Sequence, residues 1–520
     1  MDVVNQAWAN RSFIRNMILT WNGRIPPLQR LQCLERVKEA ASYMADDGVD
    51  EGGVLTFGCA CSGTGIWHKG VEDVLDFWRD EFSLTLNTKN LFMTECDKKK
   101  QLFLKTQHAM GMLISNTSEL ASALATNQKT GKQQPVPWVN VFGAGFSCKG
   151  LSRQNRHHST NIGTMRRGGV GEAGAGETWK TWEDVALYHK QRRPKLAFFE
   201  NVEDIMRESE VADCDHKSDA DYIKGHFHDN NFTAVDVVMH APDWGSPAER
   251  TRWWCVVWDV PPHVGKALRI EQKFLSALRA MRCEPLPPTC ALMSPTELEA
   301  ICDSQPFGVD RPPAKRNTPD VGWKLVHEQL FLEHGYHWPP STDLVGFRLR
   351  EAELVWFSNL KFPATLVDEW EFFDSNHSAE RTLRLGQNSD PSALRRPWQK
   401  RVPTLTAQSV IACRKKSADG TLVLRRLHGL EALRMAGWDM CHWADSDFFK
   451  DNSFSGEFYS DLAGNCWSLF HFVPLFLAAM GACSWGQVRQ TQQAEASAEG
   501  RDGGGSQDGD ESSSTAGAAD

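Results

Sequence analysis

Several common sequence signals are missing from this chain of 520 residues. It contains 14 cysteines but no pair in CxxC spacing, which argues against a structural zinc site of the usual kind and predicts no resident metal. No apolar run approaches the roughly 20 residues that cross a bilayer. The first residues, MDVVNQAWANRSF, lack the basic and apolar segments of a secretory signal. We therefore expect an intracellular protein with reduced thiols and no membrane contact.

The charge of the chain is unevenly distributed. The net charge is −9, but residues 490–520 hold seven acidic residues and one basic residue, so the remainder is near −3. Residues 377–426 carry eleven Lys and Arg against three Asp and Glu. Such a local excess is typical of a surface that binds a polyanion. A solvated charged face would have the same composition.

Short apolar runs alternate with amphipathic stretches in the first half of the chain. The runs occupy residues 54–57, 91–93, 138–142, 196–199, 235–239 and 253–258. This alternation predicts an α/β fold with a doubly wound, mostly parallel sheet, of the Rossmann-like type.

Changes in pattern divide the chain into five segments. Residues 1–50, with Met17 and Leu19 among apolar residues at helical spacing, are interpreted as a helical N-terminal extension. The predicted sheet fills residues 51–262, and helical periodicity returns over residues 401–486 to complete the same domain. Residues 263–400 lack a dominant period and predict a smaller, irregular domain. The Gly, Ser, Ala and acidic tail, residues 487–520, predicts disorder.

The first apolar run leads into a turn of small residues, ACSGTGIW at residues 60–67. Gly63 and Gly65 permit a tight turn and a close approach of the backbone to a ligand. The second run ends in TECD, where Glu95 is placed to accept hydrogen bonds from ribose hydroxyls. Together these features favour a nucleoside-bearing cofactor. Taken alone, the turn is more often structural and Glu95 could be an acid at a helix N-terminus.

A thiol and a carboxyl follow two later runs. Cys148 lies in GAGFSCKGLSRQN, residues 143–155, where Lys149 and Arg153 are expected to favour its thiolate. The loop continues to residue 176 with six glycines after residue 162, a composition typical of a lid. The alternative for Cys148 is a buried small apolar residue.

Glu200 lies in FFENV at residues 198–202. Apolar rings at Phe198 and Phe199 are expected to keep its carboxyl protonated, and Asn201 is expected to brace the following turn. Alternatively, Glu200 caps a helix that begins at Val202.

Two arginines alternate at the entry to the last run, DWGSPAERTRWWCVVW at residues 243–258. Arg250 and Arg252 are therefore expected to point toward the same strand end, where guanidinium groups could anchor a base, a phosphate or the nucleophile loop. Exposed arginines at a strand edge are the alternative.

In this order the motifs resemble those of the C5-cytosine DNA methyltransferase family. CSGTG and TECD resemble its methyl-donor motifs, GFSCKGLSRQN its nucleophile motif, FFENV its Glu-Asn-Val motif and GSPAERTR its Arg-x-Arg motif. RVPTLTAQ, HGLEALRMAGW and LAGNCWS, which begin at residues 401, 428 and 462, resemble its closing motifs. The long gap before residue 401 is where the family keeps its target-recognition domain.

The resemblance implies a set of site residues. Cys148 would add to carbon 6 of cytosine, Glu200 would donate a proton or a hydrogen bond to ring nitrogen 3, and Arg252, with Arg250 behind it, would orient Glu200 and hold the exocyclic oxygen. S-adenosylmethionine would be the methyl donor. The residues implied to bind it are Cys61, Ser62, Gly63, Thr64, Gly65, Glu95, Cys96, Asn116 and Asn465.

The implied partner is duplex DNA with the target cytosine flipped out of the stack, and this substrate suggests a nuclear protein. Alternatives are an RNA-directed member of the family or a catalytically silent homologue that binds nucleic acid. Departures from the family pattern keep the last alternative open, because Ser147 stands for the usual Pro, Ala248 for the usual Gln and Asn116 for an acid. Oligomeric state is not indicated.

Overall fold

The computed structural model describes most of the first 300 residues and the C-terminal quarter of the chain. The described stretches are residues 13–24, 54–82, 87–153, 157–211, 214–295, 363–374, 398–407, 410–438 and 454–485, with single residues or pairs beside them. Much of the predicted irregular domain, the basic residues between 377 and 397, and the predicted tail beyond residue 490 lie outside the described residues.

The described residues contain twelve strands and eleven α-helices. The strands are β1 (Val54–Ala60), β2 (Asn87–Thr94), β3 (Met112–Ile114), β4 (Leu124–Asn127), β5 (Lys132–Pro135), β6 (Val141–Ala144), β7 (Leu196–Asn201), β8 (Thr233–His240), β9 (Thr251–Trp258), β10 (Trp370–Asp374), β11 (Ile411–Lys416) and β12 (Leu422–Arg426). The helices are α1 (Phe13–Arg24), α2 (Ile66–Phe82), α3 (Lys98–Gln107), α4 (His158–Asn161), α5 (Ala175–Arg192), α6 (Asp219–Asp229), α7 (Pro262–Ala267), α8 (Ile270–Ala280), α9 (Gly429–Met435), α10 (Gly456–Asn465) and α11 (Leu469–Ala482).

Seven strands form the central sheet, in the order β3-β2-β1-β6-β7-β9-β8. All neighbours are parallel except β9, which runs antiparallel to both β7 and β8. The order reverses between β1 and β6, so the carboxyl ends of these two strands flank the crevice where open α/β sheets bind ligands. The predicted doubly wound, mostly parallel sheet is confirmed.

Side chains of successive strand residues enter cores on opposite faces of the sheet, as the two-residue period of a strand requires. In β7, Leu196 and Phe198 belong to one core, and Ala197 and Phe199 belong to the other. Both faces are covered by helices, which explains why these strands read as continuous apolar runs.

The strands extend beyond the predicted apolar runs in most cases, since flanking polar residues such as Asn201 also pair. The run at 138–142 is the exception, because β6 begins only at Val141. Pro137 precedes that run, and a proline without an N–H is disfavoured in a central strand. The short strand β3 and the β4–β5 hairpin were not predicted.

The C-terminal segment supplies a central helix of the fold. Every residue of α11 is buried, and the helix packs against α2 and α8. The apolar stretch Gly456–Ala482 is long enough to cross a membrane by composition, but most of it is buried inside the fold. This burial identifies α11 as a core helix of this fold.

Peripheral elements join the same core. In α1, Met17, Ile18 and Trp21 are buried, whereas Leu19, predicted to share the apolar face of the extension, is exposed. Helix α8, which the sequence assigns to the irregular domain, contributes Phe274 to the core that holds α11. Strands β10, β11 and β12 form a separate antiparallel sheet. The predicted domain limits stay a prediction.

Gly464 offers a test of how closely α10 docks on the chain that leads to β11. A Cβ at Gly464 would overlap the backbone of Thr406 and Ala407. Gly464→Ala should therefore lower the free energy of unfolding by roughly 2 kcal/mol or more, measured by urea denaturation.

Gly176 in α5 is the matched control, since a Cβ there meets nothing within 4 Å. Gly176→Ala should leave stability unchanged or raise it by up to ~1 kcal/mol. Equal effects of the two substitutions would contradict the tight docking of α10.

Candidate active site

The turn after β1 has left-handed backbone at three of the residues predicted to bind the cofactor. The φ angles are 55° at Cys61, 54° at Gly63 and 69° at Gly65. The Cys61 N–H donates to Thr94 Oγ1 at 2.9 Å, which fixes this turn to the end of β2. The buried Ser62 and Thr64 complete a backbone loop held against the neighbouring strand.

Glu95 holds the turn in place through hydrogen bonds to backbone amides. Its Oε2 accepts from the Gly63 N–H and its Oε1 from the Asp97 N–H, both at 3.0 Å. Glu95 also lies at the N-terminus of α3, as the alternative expected, but the side chain that caps this helix is that of Asp97. Glu95 is buried and Cys96 is exposed beside it.

His108 supports the same turn and was not predicted from the sequence. Its Nε2 lies 2.8 Å from the Thr64 carbonyl oxygen, and the ring lies edge-on to Trp438, with centroids 6.2 Å apart. Burial lowers the pKa of His108 to about 4, so the ring is neutral at physiological pH and its Nε2–H donates to the carbonyl. An isolated His after a helix gives no signal of this role.

The side chains of Asn465 and Asn116 are both engaged in bonds within the protein. The Asn465 carbonyl oxygen is 3.4 Å from the position of a Cβ at Gly63, while its side chain bonds to Asp461. Asn116 is exposed and its Oδ1 accepts from the Ser118 N–H at 3.1 Å. A bond to an adenine amine would therefore use the second lone pair of that oxygen.

Cys148 begins a turn directly after β6. Its carbonyl oxygen accepts from the N–H groups of Leu151 and Ser152 at 3.0 and 2.8 Å. The Ser147 N–H donates to Thr181 Oγ1 at 3.0 Å. A proline at position 147 would lack this donor, so the departure from the family pattern is accompanied by a hydrogen bond that holds the nucleophile loop to α5.

Lys149 interacts with the Cys148 thiol, as expected of a cation beside it, but arginines from another strand act on that thiol more strongly. Lys149 pairs with Glu177 at 2.8 Å and Arg153 with Asp204 at 2.8 Å. Burial raises the pKa of Cys148, Arg252 and then Arg250 act to lower it, and Glu200 raises it. Arg252 and Arg250, distant in sequence, therefore supply the main positive potential at the thiol.

Glu200 is a strand residue of β7, so the alternative that it caps a helix is wrong. Its Oε1 lies 2.8 Å from Arg252 Nε. The rings of Phe198 and Phe199 do not form the carboxyl's surroundings as expected, because they pack into the cores, against Phe472 and Phe227 respectively. Strand geometry sends Glu200 out at the sheet edge, where Arg252 on the adjacent strand meets it.

Trp467 borders the carboxyl and was missed by sequence reasoning. A Cβ at Gly145 would lie 2.7 Å from Trp467 Nε1 and 3.4 Å from Glu200 Oε2. The indole nitrogen and the carboxyl oxygen therefore both lie next to Gly145. The indole also packs edge-on against Trp254 at 4.7 Å. The Trp in LAGNCWS was the available signal, but nothing in its sequence position places it beside Glu200.

Arg250 and Asn201 hold loops of the site in place. Arg250 Nη2 donates to the Cys466 carbonyl at 2.6 Å, and its Nη1 to those of Gly464 and Leu405 at 3.3 and 3.4 Å. Burial lowers the pKa of Arg250 to about 10, which leaves it charged at neutral pH. Asn201 Nδ2 donates to the Phe146 carbonyl at 3.1 Å, which braces the loop before Cys148, and its Oδ1 accepts from the Val202 N–H at 2.9 Å in the turn that follows β7.

The Gly-rich loop after Cys148 is bound to the body of the protein. Arg166 and Asp219 form a fully buried ion pair at 3.2 Å, and Asn161 donates to the Gly150 and Ala173 carbonyls. Arg166 and Arg167 of this loop also donate to backbone carbonyls within the protein. Whether the loop acts as a lid stays a prediction.

Most of the described part of the basic stretch is also paired with acids. The pairs are Lys400–Glu369, Arg401–Glu249, Arg414–Glu371, Lys415–Asp368, Arg425–Glu431 and Arg426–Glu457. These acids lie in other segments of the chain, so the local count of charges overstated the positive surface available to a polyanion.

No group of three or more His, Cys, Asp or Glu suited to a metal ion occurs among the residues that the structure describes. The predicted lack of a resident metal stays a prediction. The donors that converge at the edge between β1 and β7 are instead a thiol, a carboxylate, a guanidinium and backbone amides.

The sheet order, with its antiparallel strand between β7 and β8, defines a Rossmann-like class I methyltransferase fold. Several solved structures to which the chain is similar are methyltransferases. They include Entamoeba histolytica EhMeth (11% identity, TM-score 0.39, 82% of this chain and 97% of that chain covered). They also include Schizosaccharomyces pombe Dnmt2 (10%, 0.38, 82% and 98%). A third is a putative DNA modification methyltransferase from an Escherichia coli prophage (13%, 0.35, 82% and 98%). No family model and no curated protein sequence matches the chain.

The electrostatics at Cys148 predict a pH profile for its alkylation. Because burial raises the thiol pKa above its ordinary value of 9.0, the reaction with iodoacetamide should still accelerate as the pH rises past 9.0. Arg252→Gln should shift the profile to higher pH, since Arg252 lowers this pKa. Peptide-resolved mass spectrometry would follow Cys148 separately from the other thiols.

Arg153→Gln is the control for this experiment, because Arg153 lies on the nucleophile loop but pairs with Asp204. It should leave the Cys148 profile in place. A shift with Arg153→Gln and none with Arg252→Gln would mean that the loop cations control the thiol after all.

Proposed function

We propose that this protein transfers a methyl group from S-adenosylmethionine to carbon 5 of cytosine in DNA. The observation that supports this most directly is the meeting of Cys148, Glu200 and Arg252 at the ends of adjacent strands. Arg252 Nε lies 2.8 Å from Glu200 Oε1 and is the main cation that lowers the Cys148 pKa. A thiol, a carboxyl and a guanidinium together are the groups that attack on a pyrimidine ring requires.

The turn after β1 fits the proposed methyl donor. A Cβ at Gly63 would meet only the Asn465 carbonyl oxygen, at 3.4 Å, so the backbone is open to close approach of a ligand. The Glu95 carboxylate accepts two backbone hydrogen bonds and keeps further lone pairs for ribose hydroxyls. Residues 61–65 with Glu95 and Cys96 would hold the nucleoside, and the bound donor would supply a methyl group on a sulfonium sulfur.

Cys148 and Glu200 have distinct roles in the proposed chemistry. The Cys148 thiolate forms a bond to carbon 6, and the ring electrons shift to make carbon 5 nucleophilic. Glu200 donates a hydrogen bond or a proton to ring nitrogen 3, which draws off the charge that develops there. Carbon 5 then takes the methyl group, which leaves the donor as a neutral thioether. Water takes the proton from carbon 5, the electrons of that C–H bond restore the ring double bond and expel the Cys148 thiolate from carbon 6, and ring nitrogen 3 returns its proton to Glu200.

Arg252 acts on both reacting groups. It orients Glu200 by a charge-assisted hydrogen bond and favours the thiolate of Cys148 by its charge. Its remaining donors would hold the exocyclic oxygen of the base. Trp467 would form the wall of the base pocket beside Glu200. A base can enter this pocket only when it has left the helical stack.

The same chemistry could act on cytosine in RNA, and a silent homologue would bind nucleic acid without turnover. The Ser147–Thr181 hydrogen bond supports an enzyme over a silent homologue, since it holds the nucleophile loop in the absence of the usual proline. As part of the proposal for DNA we place the protein in the nucleus, to which RRPWQKR at 395–401 contributes.

Cys148→Ser should abolish methyl transfer from labelled donor to cytosine-containing DNA, because a hydroxyl is a far weaker nucleophile than a thiolate. Donor binding, measured by calorimetry, should remain, since Cys148 lies outside the turn after β1. DNA carrying 5-fluorocytosine should trap a covalent adduct on the peptide that contains Cys148.

Cys214, a partly buried thiol outside the site, is the control, and Cys214→Ser should retain both turnover and adduct formation. Running labelled DNA and RNA side by side distinguishes the substrates. Transfer to RNA alone would overturn the DNA assignment, and wild-type protein that methylates neither would overturn the proposed activity.

Glu200→Gln should slow turnover by roughly 10²-fold to 10⁴-fold, the usual contribution of general acid catalysis. The measurement is single-turnover methyl transfer at saturating donor. Glu203→Gln, which changes a partly exposed carboxyl just after β7 that pairs with Arg153, should have little effect. An unchanged rate in Glu200→Gln would remove this residue from the mechanism.

A further inference from the structure

A cavity outside the candidate active site is lined by three arginines. Its volume is about 300 Å³, and its lining includes Arg24, Arg282 and Arg401 together with Asp243 and Glu284. This volume is at the lower end of the range for ligand pockets. The guanidinium groups come from three distant segments of the chain, so the fold alone brings them together.

Packing holds two of these arginines in place. Arg24 Nη1 donates to the Arg282 carbonyl oxygen at 2.7 Å, and the Arg282 guanidinium lies 5.2 Å from the centre of the Trp244 ring. Helix α1 reaches this position because Met17 and Trp21 are buried in the core. The positions of the guanidinium groups are therefore largely set before a ligand arrives.

The acids near the cavity hold the arginines weakly. Arg282 and Asp243 are 3.7 Å apart, and Arg401 and Glu249 are 3.4 Å apart. Both arginines are about half exposed, and exposed pairs at such distances contribute little to stability. An anion with several oxygens could replace these contacts with shorter, bidentate ones.

The cavity lies on the same edge of the sheet as the active site. Asp243 ends the turn that follows β8, and Arg401 precedes the bridge between Ala248 and Val402. In the sheet order β7-β9-β8, strand β8 lies two strand spacings from β7, which carries Glu200, a lateral separation of roughly 10 Å. At one phosphate per 3.4 Å of rise, that distance corresponds to roughly three phosphates along one strand of a nucleic acid.

We propose that Arg24, Arg282 and Arg401 form a pocket for a backbone phosphate of the nucleic acid substrate, a few nucleotides from the base at Cys148. This inference rests on the proposed function for its ligand. It gives the N-terminal helix α1 a role, that of carrying Arg24 to the substrate edge. The chemistry recognised is a phosphodiester, which DNA and RNA share.

The test compares Arg24→Gln, Arg282→Gln and the double variant in the full chain. Glutamine keeps a donor for the Arg282 carbonyl while removing the charge of Arg24, so the local fold is retained. Lys132→Gln is the control, because Lys132 is exposed on β5, away from the cavity. The probes are a cytosine-containing DNA duplex and an RNA strand of the same sequence, with affinity measured by fluorescence anisotropy across salt concentrations.

The double variant should bind DNA more weakly, with the slope of log affinity against log salt reduced by about 0.9, the value for one phosphate contact. Steady-state methyl transfer should show a raised KM for DNA and an unchanged kcat. Lys132→Gln should match the wild type in affinity, salt slope, KM and kcat. A reduced slope with RNA alone would identify RNA as the source of the phosphate.

Wild-type affinity and slope in the double variant would overturn the pocket, as would weaker binding with an unchanged slope. The pocket and the proposed function fail separately. If the wild-type protein methylates DNA while the double variant keeps its salt slope, only the pocket is overturned. If no methylation occurs but the slope falls as expected, the pocket stands and the methyl transfer activity is overturned.

Discussion

The buried guanidinium of Arg250 is the interaction on which the assembly of the site depends. A buried charge is tolerated only where hydrogen bonds replace those to water, and Arg250 finds them in backbone carbonyls at positions 405, 464 and 466. These carbonyls belong to segments 155 to 216 residues further along the chain. The C-terminal part of the protein is thereby joined to the entry of β9, which brings Trp467 and Asn465 to the sheet edge.

Two factors set the electrostatics at the sheet edge: burial, and the charge of Arg252, which acts on both Cys148 and Glu200. Burial raises the pKa of Cys148, so at neutral pH the group is held as the less reactive thiol. Arg252 opposes this effect and also pairs with Glu200 at 2.8 Å. A change at this single guanidinium therefore acts on the nucleophile and on the carboxyl together.

Much of the fold could be predicted from the sequence because its causes are local. Apolar runs with turn residues between them indicated six strands of the central sheet, and the carboxyl ends of parallel strands necessarily share an edge. The short strand β3 and the start of β6 were not predicted. Three paired residues form too short a pattern in β3, and a proline lies close to the start of β6. Helix α10 was not predicted either, since its small residues are explained only by its close packing at Gly464.

The sequence by itself determined which groups stand at the strand ends: the thiol of Cys148, the carboxyl of Glu200, the small residues of the turn at 61–65 and their order. Only the tertiary structure decided what surrounds them. It assigned Arg252 rather than Lys149 as the main cation at the thiol, His108 as the support of the turn, and acids from other segments to most of the described basic stretch. The reason is physical: strand and turn formation depend on neighbours along the chain, whereas charge interactions and burial depend on distances in space.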